Sequence, residues 1–321
     1  MVGPTGIRTS FLIFALFLAS AGLALWAARG EDVLGRIDLL SLPEIAALLA
    51  LSLANYALRG LRWLGYTRAL GINYGPVQAL RHYIGGFALT MTPARLGELV
   101  RMRWIARETG APGERLAPLI LVDRAGDLAS TGLLLAIALA ASAGGIRGGL
   151  PVAILAVIAA LVATRPVLFR ALVDAGFRLI GRWPRLFVRM RRAARALAPF
   201  SAPRIVIPAL LLGGLGWLAE GYAFYLLLGW MGAELPLWTA VAIFLFSMMT
   251  GGATGMPGGL GGAEAAMVAL LSLQGVPLEV SIPATAIIRI TTLWFAIALG
   301  VLVFPLAESM ATKVRNALER N

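Results

Sequence analysis

The chain alternates between long apolar runs and short polar interruptions. Apolar residues dominate seven stretches, at residues 11–28, 43–58, 116–142, 151–163, 205–230, 237–254 and 282–304. Most of these stretches approach the roughly 20 residues that an α-helix needs to cross the hydrocarbon core of a bilayer. The pattern therefore predicts an all-α polytopic membrane protein, with one transmembrane domain over residues 1–321.

Two polar breaks with similar sequences interrupt this pattern. Residues 92–101 read TPARLGELVR and residues 256–264 read MPGGLGGAE, so Pro-x-x-Leu-Gly occurs twice with its prolines 164 positions apart. Residues 76–91 and 94–106 form either a re-entrant hairpin or two short crossings, and we prefer the hairpin. Residues 237–254 and 263–274 form its counterpart. Polar backbone inside a bilayer is tolerated where it lines a cavity. We therefore expect the two breaks to approach one another around a shared cavity near the midplane.

Arginine positions set the predicted orientation. Residues 165–204 hold ten arginines and one acid, Asp174, and loops of this kind remain in the cytoplasm. Placing this basic loop inside predicts six spanning helices, two re-entrant hairpins and cytoplasmic N- and C-termini. Repeat A, at about residues 43–142, and repeat B, at about residues 205–304, then run in opposite directions. Inverted repeats with broken helices are typical of secondary transporters.

The basic loop also carries interleaved aromatic residues, namely Phe169, Phe177, Trp183 and Phe187. This pattern indicates a basic amphipathic element that lies on the inner leaflet. The alternative is that the arginines act only as a topology signal.

Composition excludes several classes of protein. With 59% hydrophobic and 14% charged residues, the chain does not have the composition of an ordinary soluble domain. It has no cysteine and one histidine, His82, so we predict no disulfide, no metal site and no cofactor. His82 is predicted to lie on a helix surface, with a role as a proton relay as the alternative. The net charge of +12 comes from arginines at segment ends, which favours anionic lipid headgroups over nucleic acid as partners.

The first polar break supplies a candidate binding site. Thr92 is a suitable N-cap and Pro93 a favoured first helical residue, so a half-helix is predicted to begin there. Arg95, Glu98 and Arg101 follow at intervals of three and therefore lie along one helical stripe. A helix N-terminus beside an arginine suits a phosphate group. Arg95 is our first candidate for binding a headgroup.

Further charges fall within or beside apolar helices, where each costs about 2.5–3.5 kcal/mol on insertion scales and so tends to face the bundle interior. Arg124 and Arg289 hold equivalent positions in the two repeats, as do Glu98 and Glu264. We hypothesise one network that links these four residues and binds substrate together with Arg95 and Arg101. The alternative is a set of fixed ion pairs that hold the helices together.

A second set of polar residues is the candidate for proton coupling or for ion pairing. Asp123 and Asp127 share a helical face by their spacing of four, and Glu220 lies in another apolar helix. Asn55, Arg59 and Arg62 lie on roughly one face of a further helix. Arg59 and Arg62 are equally interpretable as topology anchors that extend to the membrane interface.

These motifs, in their order, resemble a known family. The resemblance rests on residues 93–98 (PARLGE) with Arg101, residues 257–261 (PGGLG) with Glu264, and Arg289, and it covers about residues 43–304. The chain resembles the flippase-like integral membrane family related to the transmembrane part of lysylphosphatidylglycerol synthases, which includes hopanoid-biosynthesis-associated membrane proteins. The resemblance implies lipid translocation between leaflets, with aminoacylated phosphatidylglycerol as the best-known cargo. No soluble aminoacyl-transferase domain follows Phe304, so we do not expect this chain to synthesise the lysyl lipid.

The sequence thus predicts a non-enzymatic lipid flippase of a bacterial-type inner membrane. Its partners would be phospholipids or related polar lipids with anionic or phosphate-containing headgroups. The alternative is a non-transporting accessory subunit of lipid, hopanoid or glycolipid biosynthesis. In that role, the basic loop would dock lipid-synthesis enzymes.

Overall fold

The computed structural model describes residues 40–92, 96–142 and 149–318, and within these ranges every regular element is a helix. The predicted first span at residues 11–28 lies outside the described residues, and so does Arg95. Pro93 and Ala94 of the first polar break are outside them as well.

The first part of the described chain is two long helices separated by a broken pair of short ones. Ser41 is the N-cap of the first helix. Its backbone N–H and hydroxyl donate to the Glu44 carboxylate at 2.7 and 2.8 Å, which stabilises the helix N-terminus. Phe87–Leu89 forms a 3-10 turn within the pair, and Gly113–Leu116 forms one further helical turn. The helices are α1 (Leu42–Ala69), α2 (Pro76–Gly86), α3 (Leu96–Thr109) and α4 (Pro118–Ala141).

The middle of the chain holds an apolar helix and two basic ones. These are α5 (Gly149–Thr164), α6 (Pro166–Ile180) and α7 (Pro184–Ala196). Helix α6 ends where Gly181 adopts φ +64°, a conformation that glycine reaches at little cost, and the chain turns back into α7.

The last part repeats the order of elements seen in the first. A 3-10 turn at Pro257–Gly259 breaks the short pair, and a π-helical turn at Ile290–Trp294 joins the last two helices. The helices are α8 (Pro203–Trp230), α9 (Leu237–Ala253), α10 (Gly262–Leu273), α11 (Leu278–Arg289) and α12 (Phe295–Leu318). The order long, short, short, long therefore occurs twice, while the opposite orientation of the two parts stays a prediction.

Four helical segments of the described residues are long and apolar enough to cross a membrane: Leu42–Ala69, Gly113–Ala141, Pro203–Trp230 and Leu278–Val314. They correspond to four of the six predicted spans. The predicted span at residues 151–163 falls in α5, a helix of 16 residues. The helices Leu237–Ala253 and Pro257–Leu273, predicted as a hairpin, are apolar but shorter than a full crossing.

Glycines let the broken pairs approach their neighbours closely. A β-carbon on Gly97 would lie 2.1 Å from the carbonyl oxygen of Gly86, which joins α3 to α2. A β-carbon on Gly300 would lie 2.3 Å from the backbone nitrogen of Ala88, so α12 packs directly on the 3-10 turn. The second pair has the same feature, since a β-carbon on Gly251 would lie 2.9 Å from the carbonyl oxygen of Gly259. Small residues at such contacts are typical of packed membrane helices.

Polar clamps hold the first broken pair in place. Glu308 of α12 accepts hydrogen bonds from Trp104 Nε1 and Arg107 Nη1 of α3, both at 2.7 Å. Glu108, at the end of α3, pairs with Arg81 of α2 and lies 3.2 Å from His82 Nε2. These contacts fix α3 to both α2 and α12.

The prediction that His82 lies on a helix surface is wrong. His82 is fully buried, and its Nδ1 lies 2.7 Å from the Tyr74 hydroxyl. The physical reason is that the histidine sits at the contact of α2 with α3, where Tyr74 and Glu108 satisfy both ring nitrogens.

Candidate functional site

A cavity of about 650 Å³ lies where the two broken pairs meet. Gly97, Glu98 and Arg101 line it from the first pair, and Gly258 and Gly259 line it from the second. The two broken helix pairs also lie close to one another, because a β-carbon on Gly258 would lie 3.1 Å from Met91 Sδ. The two similar polar breaks therefore meet around one cavity.

The charged residues that line the cavity come from five different helices. Among the described residues, four arginines and four acids line it, which makes the formal charges equal: Arg59, Arg101, Arg124, Arg289, Glu98, Asp123, Asp127 and Glu220. Charges in an apolar environment are stable when they are paired, so the partners of each arginine decide which of them can bind a ligand.

Two arginines of α1 are tied to α4. Arg59 pairs with Asp127 at 2.7 Å, and Arg62 pairs with Asp123 and with Asp127, also at 2.7 Å. Arg62 is buried, so its side chain does not extend to the membrane interface as a topology anchor would. It is not among the residues that line the cavity. Arg59 lines the cavity and lies over the Trp217 ring, 4.8 Å from its centre. The interpretation of both residues as topology anchors is therefore wrong, because each charge is satisfied within the bundle.

The two arginines at equivalent repeat positions each pair with the glutamate of their own half. Arg124 pairs with Glu98. Arg289 donates from Nε to Glu264 at 2.6 Å and from Nη2 to the carbonyl oxygen of Gly258 at 2.6 Å. Arg124 also lies 3.9 Å from Asp127. The structure thus gives one arginine–glutamate clamp to each broken pair, while a single network of all four residues stays a prediction.

Arg101 differs from these arginines because aromatic rings surround it. Its guanidinium carbon lies 4.1 Å from the centre of the Tyr83 ring, 5.4 Å from that of Phe87 and 5.7 Å from that of Trp63. Only 5% of Arg101 is exposed, and within the described chain it has no carboxylate partner and its buried Nε has no hydrogen-bond acceptor. Contacts with ring faces stabilise a cation by about 0.5–2 kcal/mol but leave its hydrogen-bond donors unused. Arg101 is therefore available to an anionic group that enters the cavity.

Sequence reasoning missed the aromatic part of this site. Tyr83 and Phe87 lie four residues apart on one helical face, and this spacing was the available signal. Trp63 comes from α1, and only the packing of α1 on α2 places it beside Arg101.

Glu220 of α8 is a further acidic residue of the cavity lining. It is buried, lines the cavity and interacts with the side chain of Asn55 on α1. Helix α8 approaches Asn55 closely because Gly216 has no side chain; a β-carbon there would lie 2.8 Å from Asn55 Oδ1. Asn55 and Glu220, predicted to belong to one polar set with Asp123 and Asp127, thus lie together.

The π-helical turn next to Arg289 exposes backbone to the cavity. The Tyr56 hydroxyl donates to the carbonyl oxygen of Thr292 at 2.5 Å, and both residues line the cavity. Such turns free carbonyl groups from the regular helical pattern and occur often at functional sites. Neither Tyr56 nor Thr292 was predicted from the sequence.

The cavity can therefore accept an amphiphilic molecule. Its polar wall presents arginines and acids, and its apolar wall includes Leu89, Leu128, Met248 and Leu293. Among the described residues, no cluster of three or more His, Asp or Glu side chains is placed to hold a metal ion. The chemistry present is that of ion pairing and hydrogen bonding to a charged group.

Comparison with known proteins agrees with this architecture. Residues 10–300 match the family described as the lysylphosphatidylglycerol synthase transmembrane region. A UPF0104 membrane protein of Methanothermobacter thermautotrophicus is 26% identical over 339 aligned residues, which cover 96% of this chain and 97% of the relative. A further alignment with a UPF0104 membrane protein of that organism is 32% identical over 90 residues, 28% of this chain and 27% of the relative. Because the family match spans most of the sequence, the chain is a membrane protein that belongs to the lysylphosphatidylglycerol synthase transmembrane-region family.

Proposed function

We propose that this protein moves a phosphate-containing polar lipid between the leaflets of its membrane. The observation that carries the proposal is the position of Arg101, a buried cation in the cavity wall with aromatic neighbours and no carboxylate partner among the described residues. A phosphate that enters the cavity supplies the missing anion and accepts the unused hydrogen bonds of the guanidinium.

The lipid headgroup would lie in the cavity while its acyl chains stay in the surrounding lipid. The phosphate contacts Arg101, and a headgroup that also carries a cation can place it near Glu220, which lines the same cavity. Anionic and zwitterionic phospholipids both meet these requirements. Arg95 belongs to the same polar break and remains a candidate for the phosphate.

Movement between leaflets would use the two clamps on the hairpin tips. A phosphate competes with Glu98 for Arg124 and with Glu264 for Arg289, so an incoming headgroup can loosen the hairpin on its own side. Each clamp uses residues of its own broken pair and its neighbouring long helix, so one hairpin can open while the other stays closed. This is the alternating access expected of a transporter whose site lies between two repeats. We expect the lipid to leave chemically unchanged.

The test is transport in liposomes by variants of two arginines on the same helix. Purified protein is reconstituted with fluorescent phospholipids of several headgroups, and the label that reaches the outer leaflet is bleached by a membrane-impermeant reductant. We expect Arg101→Gln to slow translocation about tenfold or more, because a hydrogen bond to a charged group contributes about 1.5–3 kcal/mol. Arg101→Lys keeps the charge but loses the planar donors, so we expect an intermediate rate.

Arg103→Gln is the matched control. Arg103 lies two residues further along α3, is partly exposed and pairs with Glu308 outside the cavity, where Arg107 remains as a second partner. We expect this variant to transport at the wild-type rate. If both variants lost transport equally, the loss would come from a disturbed α3 and not from the removal of a ligand-binding group. Wild-type protein that moves no lipid across the headgroup panel would overturn the translocase proposal and favour the accessory role.

A further inference from the structure

The basic loop folds into a helical hairpin with two different faces. Helix α6 and helix α7 lie side by side, with the rings of Phe177 and Phe187 packed edge to face at 5.1 Å. Arg191 donates to Asp174 at 2.6 Å and lies over the Phe177 ring, 5.5 Å from its centre. These contacts close the hairpin and pair its one acid with an arginine.

Apolar side chains nevertheless remain exposed along one side of the hairpin. Leu168, Leu172 and Leu179 follow at spacings of four and seven, which places them on one face of α6, and all three are exposed. The exposure is greatest at the turn, where Leu179 is 89% and Trp183 is 65% exposed. A surface in water would rarely expose such a cluster, since each large apolar side chain gains by burial.

Arginines surround this apolar turn. Arg178, Arg182 and Arg185 lie within the same eight residues as Leu179 and Trp183, and all three are exposed. Along α7, Arg185, Arg189 and Arg192 follow at spacings of four and three, so they lie on one face, and all three are exposed. An exposed apolar tip within a ring of arginines has the chemistry of a leaflet that contains anionic lipids.

We propose that the turn between α6 and α7, residues 178–185, inserts into the headgroup region of a leaflet and selects anionic lipids there. Leu179, Ile180 and Trp183 enter the boundary between headgroups and acyl chains. Arg178, Arg182 and Arg185 bind the lipid phosphates around them. A 3-10 turn at Ala198–Phe200 joins the hairpin to α8, which is long and apolar enough to cross a membrane, so the hairpin follows the chain to one end of that helix. This interaction is independent of the transport cavity, which has no lining residue from the hairpin.

The test uses an environment-sensitive fluorophore at the tip of the full-length protein. The chain contains no cysteine, so Leu179→Cys gives a single labelling site without further substitutions. The labelled protein is placed in nanodiscs of zwitterionic lipid alone or with anionic phosphatidylglycerol added. We expect a blue shift of the emission and a loss of quenching by aqueous acrylamide in the anionic discs. A paramagnetic quencher carried by the lipid should gain access at the same time.

Two controls separate tip insertion from general effects. Glu114→Cys labels an exposed polar turn on another part of the chain, and its emission should be the same in both kinds of disc. Arg178→Gln, Arg182→Gln and Arg185→Gln combined with Leu179→Cys should abolish the anionic-lipid response, while the thermal midpoint of the protein is unchanged. A label at residue 179 that stays equally accessible to acrylamide in both discs would overturn the proposal, and the hairpin would then be free for a protein partner.

Discussion

At the scale of single residues, the buried arginines fall into two kinds. Arg62 and Arg289 each have a carboxylate within the bundle, which lowers the cost of placing the charge away from water. Arg101 has aromatic rings instead. Arg62 and Arg101 are buried to a similar extent. The presence or absence of a carboxylate partner therefore distinguishes a structural arginine from a candidate ligand-binding one.

Removal of Arg62 should destabilise the protein strongly. The Arg62 and Asp123 side chains are 0% and 3% exposed, so Arg62→Gln leaves a buried carboxylate that has lost its ion pair. Breaking such a pair costs about 3–5 kcal/mol. We expect a clear drop in the thermal unfolding midpoint of the detergent-solubilised protein, and a partial recovery when Asp123→Asn is added.

Arg191→Gln is the control for this loss. Arg191 and Asp174 are each 37% exposed, and an ion pair of that kind contributes about 0–1 kcal/mol. Its midpoint should stay near the wild-type value. If Arg62→Gln and Arg191→Gln lowered the midpoint equally, the structural role assigned to the Arg62 pair would be wrong.

At the scale of helices, breaks in regular structure form the site. The 3-10 turn at Phe87–Leu89 directly follows α2, and the 3-10 turn at Pro257–Gly259 lies between α9 and α10. The π-helical turn at Ile290–Trp294 frees a carbonyl oxygen for Tyr56. Each break is possible because neighbouring helices satisfy or cover the freed backbone, which a single helix in lipid could not do.

The contact of α12 with the first 3-10 turn leads to a second prediction. Gly300→Ala adds a methyl group that would lie 2.3 Å from the Ala88 nitrogen and 2.7 Å from the Phe87 carbonyl carbon. The helix or the turn must move, and overpacking of this kind costs about 1–3 kcal/mol. We expect a lower unfolding midpoint together with slower lipid translocation, because the turn positions the cavity wall.

Gly214→Ala in α8 tests whether the destabilisation by Gly300→Ala comes from the lack of room for the added methyl group. A β-carbon there meets no atom within 4 Å, and replacing a helical glycine at an unstrained position gains about 0.4–1 kcal/mol. This variant should unfold at the wild-type temperature or slightly above. A Gly300→Ala protein with wild-type stability and transport would show that the close approach is not required.

At the scale of the whole molecule, the two hairpins meet although many residues separate them in the chain. Met91 precedes the first polar break, and Gly258 lies within the second. Both broken pairs line the same cavity, so we expect a movement of one of them to change the cavity. Cross-linking the two broken pairs where they meet therefore tests the proposed alternating access.

Cysteines at residues 91 and 258 should be joined by a short thiol-specific cross-linker. Met91→Cys with Gly258→Cys brings both thiols to the contact, and the absence of native cysteine removes background. Because Gly258 has φ +64°, a side chain there costs about 1–2 kcal/mol, so transport by the untreated double variant is measured first. We expect cross-linking to stop translocation and cleavage of the linker to restore it.

Met91→Cys with Leu302→Cys is the negative control, since Leu302 is exposed on α12. That pair should not cross-link. Failure of the residue 91 and 258 pair to react would contradict the meeting of the hairpins. Full transport by the cross-linked protein would instead contradict hairpin movement as the transport step.

Much of the architecture could be read from the sequence because membrane helices follow simple rules. The apolar run at residues 205–230 has the length of a crossing, and Pro257 followed by glycines marks a break that lipid would not tolerate. Intramembrane charges such as Glu220 and Arg289 had to face inward. The sequence could not predict that Arg59 and Arg62 pair with α4, since the two segments are far apart in the chain.

By itself, the sequence determined an all-helical membrane protein with two similar polar breaks and a set of buried charges. These features depend on local length, hydrophobicity and backbone preference, which a short stretch of residues carries alone. Only the tertiary structure decided which charge has which partner. It placed Trp63 and Tyr83 around Arg101, buried His82 beside Glu108, and paired Arg124 with Glu98 and Arg289 with Glu264. Partner choice depends on distances of a few ångströms between separate helices, and only their packing sets those distances.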